Sequence, residues 1–239
     1  MQSLAEQHAL VSGGGTGIGL ACAQALVRAG ARVTVLGRRE APLAAAIAEG
    51  TAHSMIVADA TASPTLKGFT ILVNAAGAAA SAPFLKTSDA DFRSAFEANV
   101  MSAVALSRAV LPGMLALGSG RIINIASTAA LKGYAYVAPY VAAKHALLGF
   151  TRALALEVAG KGVTVNAICP GFTETPLLVE SLARINARTG RDARAELARQ
   201  NPQNRLLQPE EIAALVLFLC GDAARGIHGA ALPISGGEV

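Results

Sequence analysis

The chain has 239 residues, of which 53% are apolar, 15% charged and 4% aromatic. That length and apolar content suit one α/β domain able to bury a sizeable core, and the scarcity of charge points to extra burial between subunits. The formal net charge of +4 is mild, and no basic run with interleaved aromatics is present, so a nucleic-acid-binding role is not expected. Cys22, Cys169 and Cys220 form no Cys-x-x-Cys pair, which speaks against a metal site or a redox dithiol and for a reducing, cytoplasmic compartment. No apolar run is read as reaching membrane-spanning length, and Met1 to His8 lacks the basic start and apolar stretch of a signal peptide.

In chain order, His8 to Ser12 reads as a first buried strand and Gly17 to Ala29 as a helix ended by Gly30. A second strand follows at Arg32 to Leu36, a helix at Pro42 to Glu49, a third strand at Ser54 to Ala58 and a fourth at Thr70 to Asn74. Asp89 to Leu117 reads as a long helical stretch, broken near Pro112 and Gly113 because proline removes a helix hydrogen bond. Arg121 to Ala126 is a strand, Tyr140 to Ala159 a helix closed by Gly160 and Gly162, and Val163 to Ile168 a strand. Ala183 to Gln200 and Glu210 to Leu219 read as helices, and Ala230 to Ile234 as the last strand. This alternation predicts a doubly wound, Rossmann-like parallel sheet of about seven strands with helices on both faces, in a single domain over 1–239. The connection Asp59 to Phe69 is too short for a full crossover helix, which predicts a bare helical turn and a thinly covered sheet face there.

The first strand runs into Ser12-Gly13-Gly14-Gly15-Thr16-Gly17-Ile18-Gly19 and then directly into a helix. Glycines allow a tight turn and close approach of backbone to a pyrophosphate, and the helix start offers free N–H groups to the anion. The spacing is Gly-x3-Gly-x-Gly, and the lysine of a nucleoside-triphosphate loop is missing. After the second strand, where an acid would bind the ribose hydroxyls of NAD, stands Gly37-Arg38-Arg39. An arginine fork suits a 2′-phosphate, so NADP is the expected cofactor, with NAD as the alternative. Asp59, with Ala60 beside it, ends strand three, where it could accept from an adenine amino group or simply cap the loop.

Tyr140 and Lys144 lie four residues apart on one helix face. A free tyrosine titrates near 10, too high for efficient proton exchange at neutrality, and an adjacent ammonium favours the phenolate. Ser127 follows a buried strand, at the strand end where ligands bind in open parallel sheets. Asn99 interrupts a helical stretch for which it is a mediocre former, and could hold a water linking Lys144 to solvent.

Together these residues resemble the short-chain dehydrogenase/reductase family over essentially the whole chain. Ser12 to Gly19 resembles the family's cofactor turn, with Ser12 for its usual threonine. Asn74-Ala75-Ala76-Gly77 resembles its Asn-Asn-Ala-Gly motif, with Ala75 for the second asparagine. Asn99, Ser127, Tyr140 and Lys144 fall where the family's catalytic tetrad falls. Pro170-Gly171-Phe172-Thr173-Glu174-Thr175 resembles the segment that contacts the nicotinamide carboxamide, and Ser235-Gly236-Gly237 the closing Asp-Gly-Gly. The resemblance implies that Arg38 selects NADP, although Thr16 stands where some NADP-preferring members carry a second basic residue. It also implies dimers or tetramers built on the long helices.

The expected chemistry is reversible interconversion of a secondary alcohol and a ketone, with a 3-hydroxyacyl or 3-ketoacyl thioester or a related hydroxy acid as substrate. Ser127, Ala129, Tyr134, Tyr136 and Val137 on one side, and Phe172, Leu177 and Leu178 on the other, are the expected substrate pocket. Thr173 to Arg205 is the expected lid, whose arginines, Arg184 and Arg188 among them, could hold an anionic substrate or merely face solvent. Two other readings stay open: a nucleotide-sugar epimerase or dehydratase, disfavoured by the short segment after Glu174, and a non-catalytic nucleotide-sensing regulator, which would have no use for Tyr140.

Overall fold

A computed structural model of the chain describes residues 4–62, 66–190 and 192–239, and the side chains of all these except 177, 184, 185, 188 and 189. The strands are β1 (His8–Ser12), β2 (Arg32–Gly37), β3 (Ser54–Val57), β4 (Ile71–Asn74), β5 (Gly120–Ile125), β6 (Val163–Pro170) and β7 (Ala231–Ile234). They form one parallel sheet in the order β3-β2-β1-β4-β5-β6-β7. Strand order therefore reverses between β1 and β4, which opens a crevice at their C-terminal ends.

The period-2 alternation of the strands sorts their side chains into two cores. Ala9 and Val11 of β1 and Ile71 and Val73 of β4 face helices α1 (Gly17–Arg28), α2 (Glu40–Ala48) and α8 (Pro209–Cys220), where Cys22, Leu26, Leu43, Ile212 and Val216 are buried. Leu10 and Leu72 face the other way, onto Leu106, Val110 and Met114 of α4 (Ser102–Leu117) and Leu154 and Val158 of α5 (Ala138–Val158). α3 (Asp89–Phe96) precedes α4, and α6 (Pro176–Thr189) and α7 (Ala193–Ala198) follow β6.

Most predicted elements form within a residue or two of their expected ends. The long stretch from Asp89 is corrected in one respect. It is not broken at Pro112 and Gly113, because α4 runs through both to Leu117 and ends at Gly118 in the left-handed region. A proline inside a helix costs about 3 kcal/mol. Leu106, Val110 and Met114 are fully buried on both sides of it, and each is worth about 1.5–3 kcal/mol of burial, which outweighs that cost. The irregularity lies earlier, in a π-helical turn over Glu97–Met101. The helix expected over Ala183 to Gln200 is instead two: α6 starts at Pro176 behind the Thr175 cap and stops at Gly190 (φ 67°), and α7 is capped by Asp192.

Among its described residues, the short Asp59 to Phe69 connection holds one 3-10 turn, Ala60–Ala62. Leu66 and Phe69 are buried beneath it, while β3 stays only partly covered, with Val57 exposed. Asp89 to Leu117, taken as one 29-residue helical stretch, is long and apolar enough to span a bilayer by length and composition, contrary to the sequence expectation. Its buried residues Leu106, Val110 and Met114 belong to the core against β4 and β5.

A buried chain of polar side chains joins α5 to the sheet. The Asn74 amide donates to Asn124 Oδ1 (2.8 Å), the Asn124 amide to Thr151 Oγ1 (2.8 Å), and Thr151 Oγ1 to the Leu147 carbonyl (2.8 Å). Asn124→Leu would leave the Asn74 amide only its long contact with Ser107 Oγ (3.5 Å), at a cost of up to about 1–3 kcal/mol for a poorly satisfied buried group. The expected result is a lower urea midpoint at unchanged slope.

Candidate active site

At the strand reversal lies a cleft of about 1550 Å3, larger than the roughly 300–1,000 Å3 of an ordinary small-ligand pocket. Its wall gathers residues from almost every predicted motif: Gly13, Gly15, Thr16, Gly17, Ile18 and Gly19 of the turn; Arg38, Arg39, Asp59 and Ala60 beyond β2 and β3; and Ala75 and Gly77 beyond β4. Asn99, Ser127, Tyr140 and Lys144 line it from one side, and Pro170, Gly171, Thr173 and Thr175 from the end of β6. A smaller cavity of about 370 Å3 opens around Arg121 and Cys220, at the opposite end of β5, and holds none of these residues.

The turn after β1 suits a dinucleotide. Gly13 and Gly17 adopt φ of 66° and 55°, a region that costs other residues strain. α1 then begins behind Thr16, whose side chain makes no capping bond, so the first N–H groups of the helix are left for an anion. Arg38 and Arg39 are exposed at the end of β2. Asp59 lines the same end, but its Oδ1 accepts from Thr61 N (2.9 Å) and Thr61 Oγ1 (2.7 Å), and these bonds hold its carboxyl below the usual range.

Two of the expected cofactor residues stand behind the wall and not in it. Ser12 is buried, and its Oγ accepts from the N–H groups of Ala75 (3.1 Å) and Ala76 (3.2 Å). Asn74 is committed to Asn124. Both hold the turn and the Asn74–Gly77 segment against each other, so their hydroxyl and amide are spent on backbone and sheet. The Leu177 side chain, and those of Arg184 and Arg188, lie outside the described residues, as does Arg191.

Among the described arginines of 173–205, none lines the cleft. Arg194 pairs with Glu174 through two bonds (2.7 and 3.0 Å) and Arg205 with Glu211 through two (both 2.7 Å). These are carboxylate forks on the surface, which gives no support to an anion handle at these two positions. Leu178, Leu197 and Gln200 form the wall on that side.

The reacting end is assembled from three elements. Ser127 caps the turn after β5, and its Oγ accepts from Ala129 N (3.1 Å). Tyr140 and Lys144 project from the first two turns of α5, with the ammonium 5.6 Å from the phenol ring centre. Lys144 is buried and donates to the Ile125 carbonyl (2.9 Å), and desolvation pushes its pKa down to about 8. Crowding by protein atoms raises the Tyr140 pKa, and the Ser127 hydroxyl opposes that rise. The direction is opposite to the expected lowering by Lys144: desolvation sets it, and the Ser127 hydroxyl is what opposes it.

Asn99 sits in the π-helical turn, and its amide donates to the Ala78 carbonyl (2.9 Å) and the Ala95 carbonyl (2.9 Å). Its Oδ1 is buried without a hydrogen-bond partner among the described residues. A Cβ on Gly77 would lie 2.6 Å from that oxygen and 3.6 Å from Lys144 Nζ, so only glycine leaves the two groups their places.

Ala129, Tyr134, Tyr136, Val137, Phe172 and Leu178 all line the substrate end. Tyr136 is held at φ 67°, a strained conformation for a bulky residue and one that clusters at functional sites. Two side chains were missed in the sequence. Lys132 lines the cleft, and Glu238, behind it, pairs with Lys132 Nζ (3.0 Å) and accepts from the Tyr134 hydroxyl. Their only signal was position, after strands five and seven at the ligand end of the sheet.

The family model described as Enoyl-(Acyl carrier protein) reductase matches residues 13–238. The chain is a short-chain dehydrogenase/reductase. It is 37% identical over 250 residues to the D-beta-hydroxybutyrate dehydrogenase of Cupriavidus necator, covering 97% of each chain. Among solved structures it is similar to a variant of the actinorhodin polyketide ketoreductase with NADPH, at TM-score 0.92 and 33% identity, covering 100% of this chain and 99% of that one. L-Sorbose reductase from Gluconobacter frateurii, complexed with NADPH and L-sorbose, matches at TM-score 0.92 and 29% identity, covering 99% and 98%. The dehydrogenase/reductase site here thus combines an anion-ready turn with a buried Lys144 behind Tyr140.

A depressed lysine pKa makes stability depend on pH. Lys144 in the fold loses its proton near 8, whereas the unfolded chain keeps it to about 10.4. Between those values the unfolded state binds more protons, so this contribution to stability rises with pH, by on the order of 3 kcal/mol in full. Lys144→Met should lack that increment and be the more stable protein at pH 7, as read from paired urea titrations across pH 7 to 10.

Proposed function

We propose that the chain is an NADP-dependent oxidoreductase that interconverts 3-ketoacyl and 3-hydroxyacyl thioesters or closely related ketones, with Tyr140 as its acid/base. The observation that carries this reading is the convergence of Ser127, Tyr140 and Lys144 on one cleft that also holds the glycine turn and Arg38. An NAD(P)-dependent alcohol/ketone oxidoreductase is also what its relatives are: they include a hydroxybutyrate dehydrogenase and NADPH-bound reductases.

The first N–H groups of α1, with Thr16, would hold the pyrophosphate, and Arg38 with Arg39 the 2′-phosphate. Pro170, Gly171, Thr173 and Thr175 would hold the nicotinamide carboxamide. When bound, the nicotinamide supplies or takes the hydride. Ser127 and Tyr140 hydrogen-bond the substrate oxygen, and the Tyr140 hydroxyl gives its proton to the alkoxide as it forms. Positioned proton transfer of this kind is worth about 10²–10⁴ in rate. Lys144 holds a positive charge beside the phenol while fixed to the Ile125 carbonyl. Asn99 Oδ1 and Lys144 Nζ flank Gly77 closely enough to share one water, the route by which the proton is replaced.

The substrate wall suits an acyl chain. Ala129, Ala135, Val137, Phe172, Leu178 and Leu197 give an acyl chain apolar surface to lie on, beside the polar Lys132, Tyr134, Tyr136 and Gln200 of the same wall. The 173–205 segment acts as the lid that excludes water, on a single 1–239 domain in a homodimer or homotetramer working in the cytoplasm.

Tyr140→Phe should abolish NADPH oxidation at 340 nm with acetoacetyl thioesters while NADPH still quenches or shifts the protein signal on binding. Wild-type turnover in that variant would end the assignment. Arg38→Asp should weaken NADPH by about tenfold or more, the loss of a charge-assisted phosphate contact, and leave NADH unchanged or improved. Equal loss with both cofactors would take Arg38 out of the selection.

A further inference from the structure

Beyond β7 the chain turns back on itself. Gly236 and Gly237 take φ of 63° and 93°, and Glu238 N donates to the Ser235 carbonyl (3.3 Å). This turn drives the Glu238 side chain inward until only 2% of it is exposed. There one carboxylate oxygen, Oε1, accepts a hydrogen bond from the Tyr134 hydroxyl and pairs with the Lys132 ammonium at 3.0 Å. Thr128 Oγ1 completes the row, 2.6 Å from the Tyr134 oxygen. The other oxygen, Oε2, is buried without a hydrogen-bond partner among the described residues and lies 3.0 Å from where a Cβ on Gly171 would stand. The Tyr134 ring meets Phe172 edge-on at 5.8 Å. One buried carboxylate thus touches both walls of the substrate end, the loop after β5 and the loop after β6.

We propose that Glu238 is a positioning residue that sets substrate selection, clamping Tyr134 and Lys132 into the cleft wall as a charge-neutral donor site for an uncharged acyl carbonyl. This rests on the oxidoreductase reading given above. The Lys132 side chain is 38% exposed, lines the cleft, and spends one of its three N–H donors on Glu238. Two donors remain for a ligand in the cleft that Lys132 lines. Because the ammonium is paired, that corner offers hydrogen bonds without net charge. It suits the thioester carbonyl of a 3-ketoacyl group, and it gives a free 3-keto acid no counterion. Tyr134 stays a phenol, since burial and the carboxylate both raise its pKa, so its proton remains committed to Glu238.

Two measurements test this, one of them independent of turnover. The chain has three tyrosines and no tryptophan, and a phenol bonded to a carboxylate emits weakly because its excited state passes the proton on. Glu238→Gln should raise tyrosine emission, and should not do so in a Tyr134→Phe background. An unchanged emission, or an equal rise without Tyr134, overturns the clamp. In steady-state assays with NADPH, Glu238→Gln should raise KM for an acetoacetyl thioester by about tenfold, with kcat less affected, as expected for loss of one charged hydrogen bond. It should lower KM for free acetoacetate, because Lys132 is then unpaired. Lys132→Met, a change at a half-exposed position, should lose the thioester preference without the gain for the acid. A thioester-to-acid preference unchanged in both variants overturns the selection. If the wild type itself turns over no ketone, and Tyr140→Phe matches it, the oxidoreductase reading falls instead, and the emission comparison still decides the clamp.

Discussion

The reacting groups ride on α5, and nothing covalent holds that helix in register with the sheet. What does so is the buried run of amides and hydroxyls from Asn74 through Asn124 to Thr151, continued about two turns back along the helix by the Lys144 bond to the Ile125 carbonyl. Apolar packing of Leu154 and Val158 against Val163 and Val165 is larger in total, but it tolerates sliding, since methyl groups repack at small cost. Hydrogen bonds in a dry interior do not tolerate it: each donor left unpaired costs about 1–3 kcal/mol. The polar run therefore specifies position while the apolar core supplies stability. The same division recurs at Ser12, whose hydroxyl ties the glycine turn to the segment after β4.

That rigidity carries a cost, and the site shows where it falls. An ammonium with a single carbonyl partner is kept in a desolvated pocket, so its pKa drops to about 8, and a phenol beside it is held above its ordinary value. Both shifts run against the charges that form during proton transfer. A site arranged for stability alone would not bury Lys144 in this way. Groups held out of water in advance need no solvent reorganisation when the charge moves, which is the advantage a preorganised site has over the same groups in water. The π-helical turn at Asn99 and the left-handed Tyr136 are of the same kind, local departures from ideal backbone at the edge of the cleft.

The fold was legible in the sequence because its signals are local. Short apolar runs read as buried strands, glycine-closed helices and the spacing between them led to seven strands and to helices on both faces. Local signals also misled where long-range burial prevailed. Pro112 reads as a break, yet Leu106, Val110 and Met114 pin the helix on either side of it. Asn99 reads only as a poor helix former, whereas the bulge it sits in depends on the Ala78 carbonyl, 21 residues away. At the site, residues held by a recognisable motif came together in the cleft, while Ser12 and Asn74 proved to be braces because their partners lie on neighbouring strands. Arg194 and Arg205 drew attention by charge, but their carboxylate partners lie up to 20 residues distant in the chain.

The two ends of the cleft differ in how they are encoded, and this explains what could and could not be read. The cofactor end is built mainly of backbone: a glycine turn, a helix start and the end of a strand, all contiguous in the chain, so a motif marks them. The substrate end is built of side chains from the loops after β5, β6 and β7, which meet only in the folded sheet. Lys132, Tyr134, Phe172 and Glu238 span more than a hundred residues, since Tyr134 and Glu238 alone are 104 apart. No spacing rule links them; only the parallel sheet does, by delivering the C-terminal end of every strand to one edge. Chemistry common to many substrates can therefore be carried by short motifs. Choice among substrates resides in contacts that the topology must first bring together, and here the turn after the last strand contributes one of them, through the carboxylate of Glu238.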